Sequence, residues 1–347
     1  MRKTPQFFLF GMGDRPKLIY KNGALYSYPN YETIRLWEVN KEEILPSEYT
    51  VKLETSDGIV CIREDSEGVW LNESSACGCF GRSKLNLPTF EGHPLRETLR
   101  ILHHEILINI INGVPVPNYF VYPKAWYRDG AMMAMVLKET DNLHLIRDWA
   151  LGLSELYDRN NKGNEESDNL GQLLYLLGIL DLKNHPLVEL AVKEAERRLE
   201  EGVLTGSTDY APHPVYQTKW LKLGLETMGF DSSYLRIPDV KDHYSPIFWM
   251  DGHTMPPSDD SYNVKYPYLW WAKKHTMRQA VDPFLLEPSY PISSETCASE
   301  ADYEKLRPLF PEYADARHSA PHTWHAAEMF LYIIDLYGKE LCDAGIC

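Results

Sequence analysis

The sequence predicts a mainly α protein, an (α/α)6 toroid with a small antiparallel β region at its N-terminus. Residues 1 to about 75 form short runs of alternating or continuous apolar residues separated by turn residues, a pattern typical of strands. From residue 93 the apolar residues follow a helical period instead. Short and long connections alternate between the helices, which favours helical hairpins arranged in two concentric rings. We therefore predict a β-rich region over residues 1–90 and a catalytic toroid domain over residues 91–347.

The predicted β region begins with a hairpin. Residues 17–20 and 24–28 flank Asn22-Gly23, the preferred chemistry for a two-residue turn. Residues 72–92 are rich in Ser, Gly and Pro and predict a connecting loop. Further strands are predicted over residues 33–39, 49–54 and 58–63.

The first predicted helix covers residues 95–111 and is apolar around most of its circumference, which indicates burial. It ends at Asn112-Gly113, a typical helix stop. Further helices are predicted over residues 129–138, 143–157, 167–180, 186–201, 214–228, 266–277, 301–309 and 323–337.

Composition limits the partners of this chain. The 347 residues carry a net charge of −15, which argues against a nucleic-acid partner and favours a neutral or cationic ligand. No apolar stretch is long enough to span a membrane, and the N-terminal apolar run is too short for a secretory signal. The six cysteines show neither zinc-ligand nor disulfide spacing, so we expect a reducing, cytoplasmic compartment. We predict no metal and no cofactor; the oligomeric state is left open.

The most informative segment is residues 122–135, YPKAWYRDGAMMAM. It places Arg128 and Asp129 at the start of an apolar helix, where the helix dipole favours a carboxylate. A donor fork beside an acceptor suits a polyhydroxylated ligand, and Trp126 and Tyr127 offer flat faces for stacking on a sugar. The alternative is a helix-capping Asp with an outward salt-bridged Arg.

Cleavage of a glycosidic bond needs two facing carboxyl groups, one as an acid and one as a base or nucleophile. Asp209 lies beside Tyr210 and near His213 in a polar loop before a helix, where aromatic neighbours would raise its pKa toward use as an acid. A turn Asp bonded to its own backbone is the alternative. The candidate bases are Glu295, Glu312 and Asp315.

Two more acids are candidates for ligand binding. Asp168 stands at a predicted helix start, where it either caps the helix or binds the ligand. Asp251 with His253 forms either a turn or part of a pocket lining.

Three segments resemble glucoamylase-like enzymes of the six-hairpin glycosidase superfamily, and they occur in the family's order. Residues 122–131 (YPKAWYRDGA) resemble its Trp-x-Arg-Asp-Ser/Gly-Ala segment, residues 168–172 (DNLGQ) resemble the opening of its fourth helix, and residues 323–328 (TWHAAE) resemble the start of its final inner helix, with Trp324 as the matching tryptophan. The resemblance implies that Arg128 and Asp129 bind the sugar beside the cleaved bond. It also implies Asp209 as general acid and Asp315 as general base, with Glu295 as a rival base.

We therefore expect an exo-acting, inverting hydrolase of oligosaccharides, in which the two carboxyl groups lie about 6.5–9.5 Å apart. Three alternatives stay open: a sugar isomerase or epimerase using two of His213, His318 and His322, a glycoside phosphorylase, and a non-catalytic carbohydrate-binding protein.

Overall fold

In the part of the chain that the structure describes, strands also occur beyond the N-terminal quarter. The computed structural model describes residues 6–74, 76–160, 162–240, 242, 244, 290–298 and 300–343. These ranges contain eight α-helices and fifteen β-strands, the strands forming five small antiparallel sheets. The predicted mainly α toroid is therefore wrong.

The strands are β1 (Phe7–Phe10), β2 (Leu18–Lys21), β3 (Ala24–Ser27), β4 (Thr33–Leu36), β5 (Val39–Leu45), β6 (Thr50–Thr55), β7 (Gly58–Glu64), β8 (Gly68–Glu73), β9 (Ala76–Arg82), β10 (Ile110–Ile111), β11 (Val114–Pro115), β12 (Leu199–Glu200), β13 (Val203–Leu204), β14 (Glu295–Thr296) and β15 (His318–Ser319). The helices are α1 (Arg96–Ile108), α2 (Tyr127–Glu139), α3 (Arg147–Leu151), α4 (Asp168–Ile179), α5 (Pro186–Arg198), α6 (Pro214–Met228), α7 (Pro311–Asp315) and α8 (Thr323–Asp343).

Left-handed turn residues place a short ribbon of paired strands after each of two helices, α1 and α5. After α1, Asn112 and Gly113 have φ of 50° and 75°, and they close the ribbon of β10 and β11. After α5, Glu201 and Gly202 have φ of 50° and 81° and close the ribbon of β12 and β13. Such turns match the twist of paired strands, so each helix leads into a hairpin of strands.

Two predicted helices are much shorter than expected. Over residues 143–157 the chain forms one 3-10 turn, Leu143–Ile146, followed by α3. Over residues 301–309 it forms only the 3-10 turn Tyr303–Leu306, and Pro308 follows directly after Arg307. The predicted helix over residues 266–277 lies outside the described residues.

The chain divides into two compact units. Unit 1 comprises Met1–Lys124, Leu137–Leu145 and Leu286–Phe330, and unit 2 comprises Ala125–Val136, Ile146–Leu285 and Leu331–Cys347. The boundary predicted between residues 90 and 91 stays a prediction.

Unit 1 contains the two larger sheets, one ordered β1-β2-β3-β4 and one ordered β5-β6-β7-β8-β9. The predicted hairpin is confirmed: β2 pairs with β3 across Asn22 and Gly23, whose φ values are 48° and 76°. Strand β9 lies in the predicted loop of residues 72–92. It is largely exposed and pairs with β8 through the backbone, so it lacks the hydrophobic pattern that marks a strand.

A buried ion pair connects segments of unit 1. Arg15 Nη1 lies 3.0 Å from Glu64 Oε1, and both side chains have no solvent exposure. The carboxylate of Glu64 also accepts hydrogen bonds from the backbone N–H groups of Gly11 and Met12, at 2.8 and 2.7 Å. These contacts join the loop after β1 to the end of β7.

Unit 2 is built around the packing of α4 on α6. Gly171 of α4 and Gly224 of α6 allow the two backbones to approach closely, because a Cβ on Gly171 would lie 2.3 Å from the carbonyl carbon of Trp220. Leu170, Leu174 and Trp220 are fully buried in this contact region of the unit. The first residues of α4 thereby lie in the interior of unit 2, together with the polar side chains they carry.

Candidate functional site

The centre of the candidate site is Arg128, the second residue of α2. Its guanidinium Nη1 lies 3.4 Å from Glu166 Oε2, and its Nη2 lies 3.6 Å from Asp209 Oδ1. The Arg128 side chain is 9% exposed and that of Glu166 1%, whereas that of Asp209 is 41% exposed. Burial alone would lower the pKa of Arg128, but Asp209, Tyr244 and Glu166 raise it well above its usual value. The arginine is therefore a permanent cation at the base of a site that opens to solvent at Asp209.

A tight turn presents Asp209. Thr208 and Ala211 exchange backbone hydrogen bonds of 2.8 and 3.1 Å, and Asp209 and Tyr210 between them have φ of 46° and 72°. Two successive left-handed residues without glycine are costly, and such strain is concentrated at functional sites. The backbone N–H of Asp209 donates to Glu166 Oε1 at 3.0 Å, so the same carboxylate binds both Arg128 and the turn.

Asp168 holds the turn in place through a hydrogen bond with Thr208. Its Oδ1 accepts a 2.6 Å hydrogen bond from the Thr208 hydroxyl, and its Oδ2 accepts a 2.7 Å hydrogen bond from Gln172 Nε2. Asp168 is fully buried. Burial raises its pKa to about 6, although Arg128 acts in the opposite direction. Because both oxygens are used within the protein, Asp168 positions the turn.

Asp158, in the loop after α3, is a second carboxyl group whose pKa is raised. Its Oδ2 accepts a 2.6 Å hydrogen bond from the backbone N–H of Tyr127, the first residue of α2. Burial raises the pKa of Asp158 to about 7, while the Tyr127 hydrogen bond and Arg128 lower it. Its Oδ1 is buried and makes no hydrogen bond within the described residues. Asp158 is thus a proton-bearing carboxyl near neutral pH; sequence reasoning missed it, because nothing in its local pattern distinguishes it from other loop acids.

An aromatic and histidine group adjoins Asp209. The Tyr244 hydroxyl donates a hydrogen bond to Asp209, and the Tyr244 ring contacts the His213 ring with centroids 4.4 Å apart. His213 Nδ1 lies 3.2 Å from Asp242 Oδ1, and Asp242 Oδ2 also accepts a 3.0 Å hydrogen bond from the backbone N–H of Tyr216. The Asp242 carboxylate therefore orients the imidazole beside Tyr244.

The structure brings part of the predicted site together in unit 2. Arg128, Asp168 and Asp209 form the connected cluster described above. Trp126 is buried, with its ring 5.9 Å from the Arg128 guanidinium, and Asp129 is also buried. Tyr210 is 47% exposed, and the Lys162 ammonium lies 4.4 Å from its ring centroid.

The remaining predicted residues belong elsewhere. Asp315 is a surface residue of unit 1, 69% exposed and paired with Arg307 at 2.9 Å. Glu295 and Trp324 also belong to unit 1, where the Trp324 ring contacts the His325 ring at 5.8 Å. The predicted binding residue Asp251 lies outside the described residues.

A second polar cluster occurs in unit 1. Glu295 Oε2 lies 2.7 Å from His322 Nε2, and one ligand-type atom from each of Glu295, His322 and His325 falls within 4.8 Å of the others. The sequence analysis predicted no metal, and it did not single out His325. The local signal is the spacing of the two histidines, because His322 directly precedes α8 and His325 follows three residues later in its first turn.

None of the helices in the described ranges combines the length and the apolar character needed to cross a lipid bilayer. In comparisons with known proteins, the chain matches no family model, no curated protein and no solved structure.

Proposed function

We propose that this chain hydrolyses glycosidic bonds in oligosaccharides at the Arg128 site of unit 2. The observation that carries the proposal is the exposed Asp209 carboxylate, held by a strained turn against the buried Arg128. Glycoside hydrolysis needs an ionised carboxylate and a proton-bearing carboxyl group. Asp209 and Asp158 supply these two kinds of group in one unit.

The contacts favour a division of roles. Asp209 pairs with a permanent cation and is accessible to solvent, so we assign it the role of base or nucleophile. Asp158, whose pKa is about 7, is the proton donor in this scheme. The sequence predicts Asp209 as the acid, but its ion pair with Arg128 favours the base or nucleophile role instead. The bases predicted from the sequence, Glu295 and Asp315, belong to unit 1 and have no role in this scheme.

The surroundings of Asp209 suit a neutral polyhydroxylated ligand. Arg128 is a planar donor, carboxylates accept hydrogen bonds from hydroxyl groups, and Tyr210 offers an exposed ring for stacking. The chain's net charge of −15 disfavours an anionic substrate. Exo action and inversion complete the proposal, and we place the activity in the cytoplasm because the described cysteines 61, 77, 79 and 297 are free thiols.

The test is an activity screen on aryl glycosides and short oligosaccharides, with and without inorganic phosphate, measured as released reducing sugar. We expect turnover without phosphate, and a loss of about 10²–10⁴-fold in kcat for Asp209→Asn and for Asp158→Asn. Glu189→Gln, at an exposed carboxylate of α5, is the matched control and should keep full activity. The proposal fails if no sugar is cleaved, or if Asp209→Asn retains the parent rate. Strict dependence on phosphate would instead identify a phosphorylase.

One observation favours a second candidate, a sugar isomerase or epimerase. His213 is oriented by Asp242 and contacts Tyr244, the arrangement of a general base fixed by a carboxylate. Sugar interconversion without hydrolysis, followed by proton NMR in D2O and abolished by His213→Gln, would support this candidate. Solvent deuterium should then appear at the carbon from which His213 removes the proton.

A further inference from the structure

The second cluster lies in unit 1 and plays no part in the proposed hydrolysis. It consists of Glu295 on β14, His322 just before α8, and His325 in the first turn of α8. The imidazole groups belong to buried residues, with exposures of 2% for His322 and 7% for His325, while the Glu295 side chain is 26% exposed. Two sheltered nitrogen ligands thus lie beside a carboxylate that reaches solvent.

Backbone pairing brings these residues together from distant parts of the sequence. Strand β14 pairs with β15, and Glu295 lies opposite Ser319. Ser319 precedes His322 by three residues in the sequence. A second connection lies on the other side of Glu295: the backbone N–H of His322 donates to the Ser293 hydroxyl at 3.0 Å.

The Ser293 connection is itself anchored in the interior. The backbone N–H groups of Ile292 and Ser293 donate to the buried carboxylate of Glu105 on α1, at 2.5 and 2.9 Å. The Ser293 hydroxyl donates to the same carboxylate. The segment that carries Glu295 and the segment that carries the histidines are therefore held in place by contacts outside the cluster, as a preorganised ligand site requires.

We propose that Glu295, His322 and His325 bind one divalent transition-metal ion, with Zn²⁺ as the favoured ion. Two imidazoles and one carboxylate are the protein ligands of many zinc sites, whereas Mg²⁺ and Ca²⁺ prefer oxygen ligands alone. Three protein ligands also leave a coordination position open for a water molecule or another small ligand.

The geometry needs only a local adjustment for this ion. With metal–ligand bonds of about 2.0–2.2 Å, tetrahedral ligand atoms lie roughly 3.3–3.6 Å apart. The Glu295–His322 separation of 2.7 Å must widen, and the largest separation, at most 4.8 Å, must shrink. The Glu295 side chain is partly exposed, so its rotation can widen the 2.7 Å separation from His322.

The test measures binding of zinc itself and does not depend on any catalytic activity. Cys77, Cys79 and Cys297 are exposed thiols that would also take up zinc, so the parent for the test carries serine at all three positions. This parent, stripped with a chelator, is titrated with Zn²⁺ in competition with a chromogenic chelator. Co²⁺ titration followed by visible absorption reports the ligand geometry.

We expect one high-affinity Zn²⁺ per chain, and a weakening of about 100-fold or more for His325→Ala and for Glu295→Gln. His144→Ala, at an exposed histidine of unit 1, is the matched control and should bind like the parent. Circular dichroism shows that each variant is folded. Absence of zinc binding by the folded parent, or unchanged affinity in both ligand variants, would overturn the proposal and leave the cluster as a Glu–His ion pair.

Discussion

Arg128 and Glu166 form an ion pair of 3.4 Å in which the carboxylate is almost completely removed from solvent. Glu166 depends on this pair, because its other contacts are neutral hydrogen bonds from Asn160 and from the Asp209 backbone. A buried carboxylate whose cation is removed keeps its desolvation cost and loses its compensation. The stability of unit 2 is thereby coupled to the candidate site.

Arg128→Gln should therefore destabilise the protein strongly, by about 3–5 kcal/mol in the free energy of unfolding. Urea unfolding followed by circular dichroism measures the change. Lys193→Gln removes the cation of an exposed pair with Glu189 on α5, and little measurable change is expected there. Equal stability of the Arg128→Gln variant and the parent would show that the buried Glu166 carboxylate does not depend on this ion pair.

Asp158 should make the stability depend on pH. Its folded pKa of about 7 lies above the ordinary value of 3.8, so the native state binds more protons between these two values. The contribution of Asp158 to the unfolding free energy consequently falls as pH rises from about 4 to 7. Asp158→Asn removes this contribution and preserves an oxygen for the Tyr127 N–H.

The stability of Asp158→Asn relative to the parent should thus increase by about 2–3 kcal/mol between pH 5 and pH 8. Urea unfolding at both pH values measures this difference. The unfolding free energy of the control variant Glu189→Gln should change with pH in the same way as that of the parent. A constant difference between Asp158→Asn and the parent would contradict the raised pKa.

The contact of α4 with α6 predicts that Gly171 tolerates no side chain. A Cβ there would lie 2.3 Å from the Trp220 carbonyl carbon and 2.4 Å from the Leu221 nitrogen, both backbone atoms. Gly171→Ala should cost about 1–3 kcal/mol through overpacking, despite the higher helix propensity of alanine. In Gly78→Ala the nearest atom would be 4.0 Å away, so thermal unfolding should separate the two variants clearly.

A substitution in the Asp209-Tyr210 turn should have opposite effects on stability and on ligand binding. Tyr210→Gly relieves a left-handed residue with φ of 72° and should stabilise the chain by about 1 kcal/mol. The same change removes the exposed ring, so KM for a cleaved sugar should rise. Asn22→Gly, at the two-residue turn between β2 and β3, should leave KM unchanged, since Asn tolerates φ of 48° and lies in unit 1. A Tyr210→Gly variant with unchanged KM would remove the stacking role.

Local signals predicted several elements closely. The helix predicted over residues 214–228 is α6, Pro214–Met228, and Asn22-Gly23 closes the expected hairpin. Pro214 at the first helical position fixes the start of α6, and Gly229 directly after the last residue fixes its end. Both signals are local in the sequence. The exposed strand β9 was missed because its pairing leaves no hydrophobic pattern.

Local sequence patterns suffice to predict elements whose boundaries depend on neighbouring residues. The same patterns identify Arg128 and Asp209 as polar residues beside aromatic ones. Only the tertiary structure decided that Asp209 pairs with Arg128, that Asp158 holds a proton near neutral pH, and that Glu295 meets His322 and His325. The physical reason is that desolvation and Coulomb interactions depend on which distant segments surround a group. The error in fold class has the same origin, because helical period reports a buried face but does not specify what covers it.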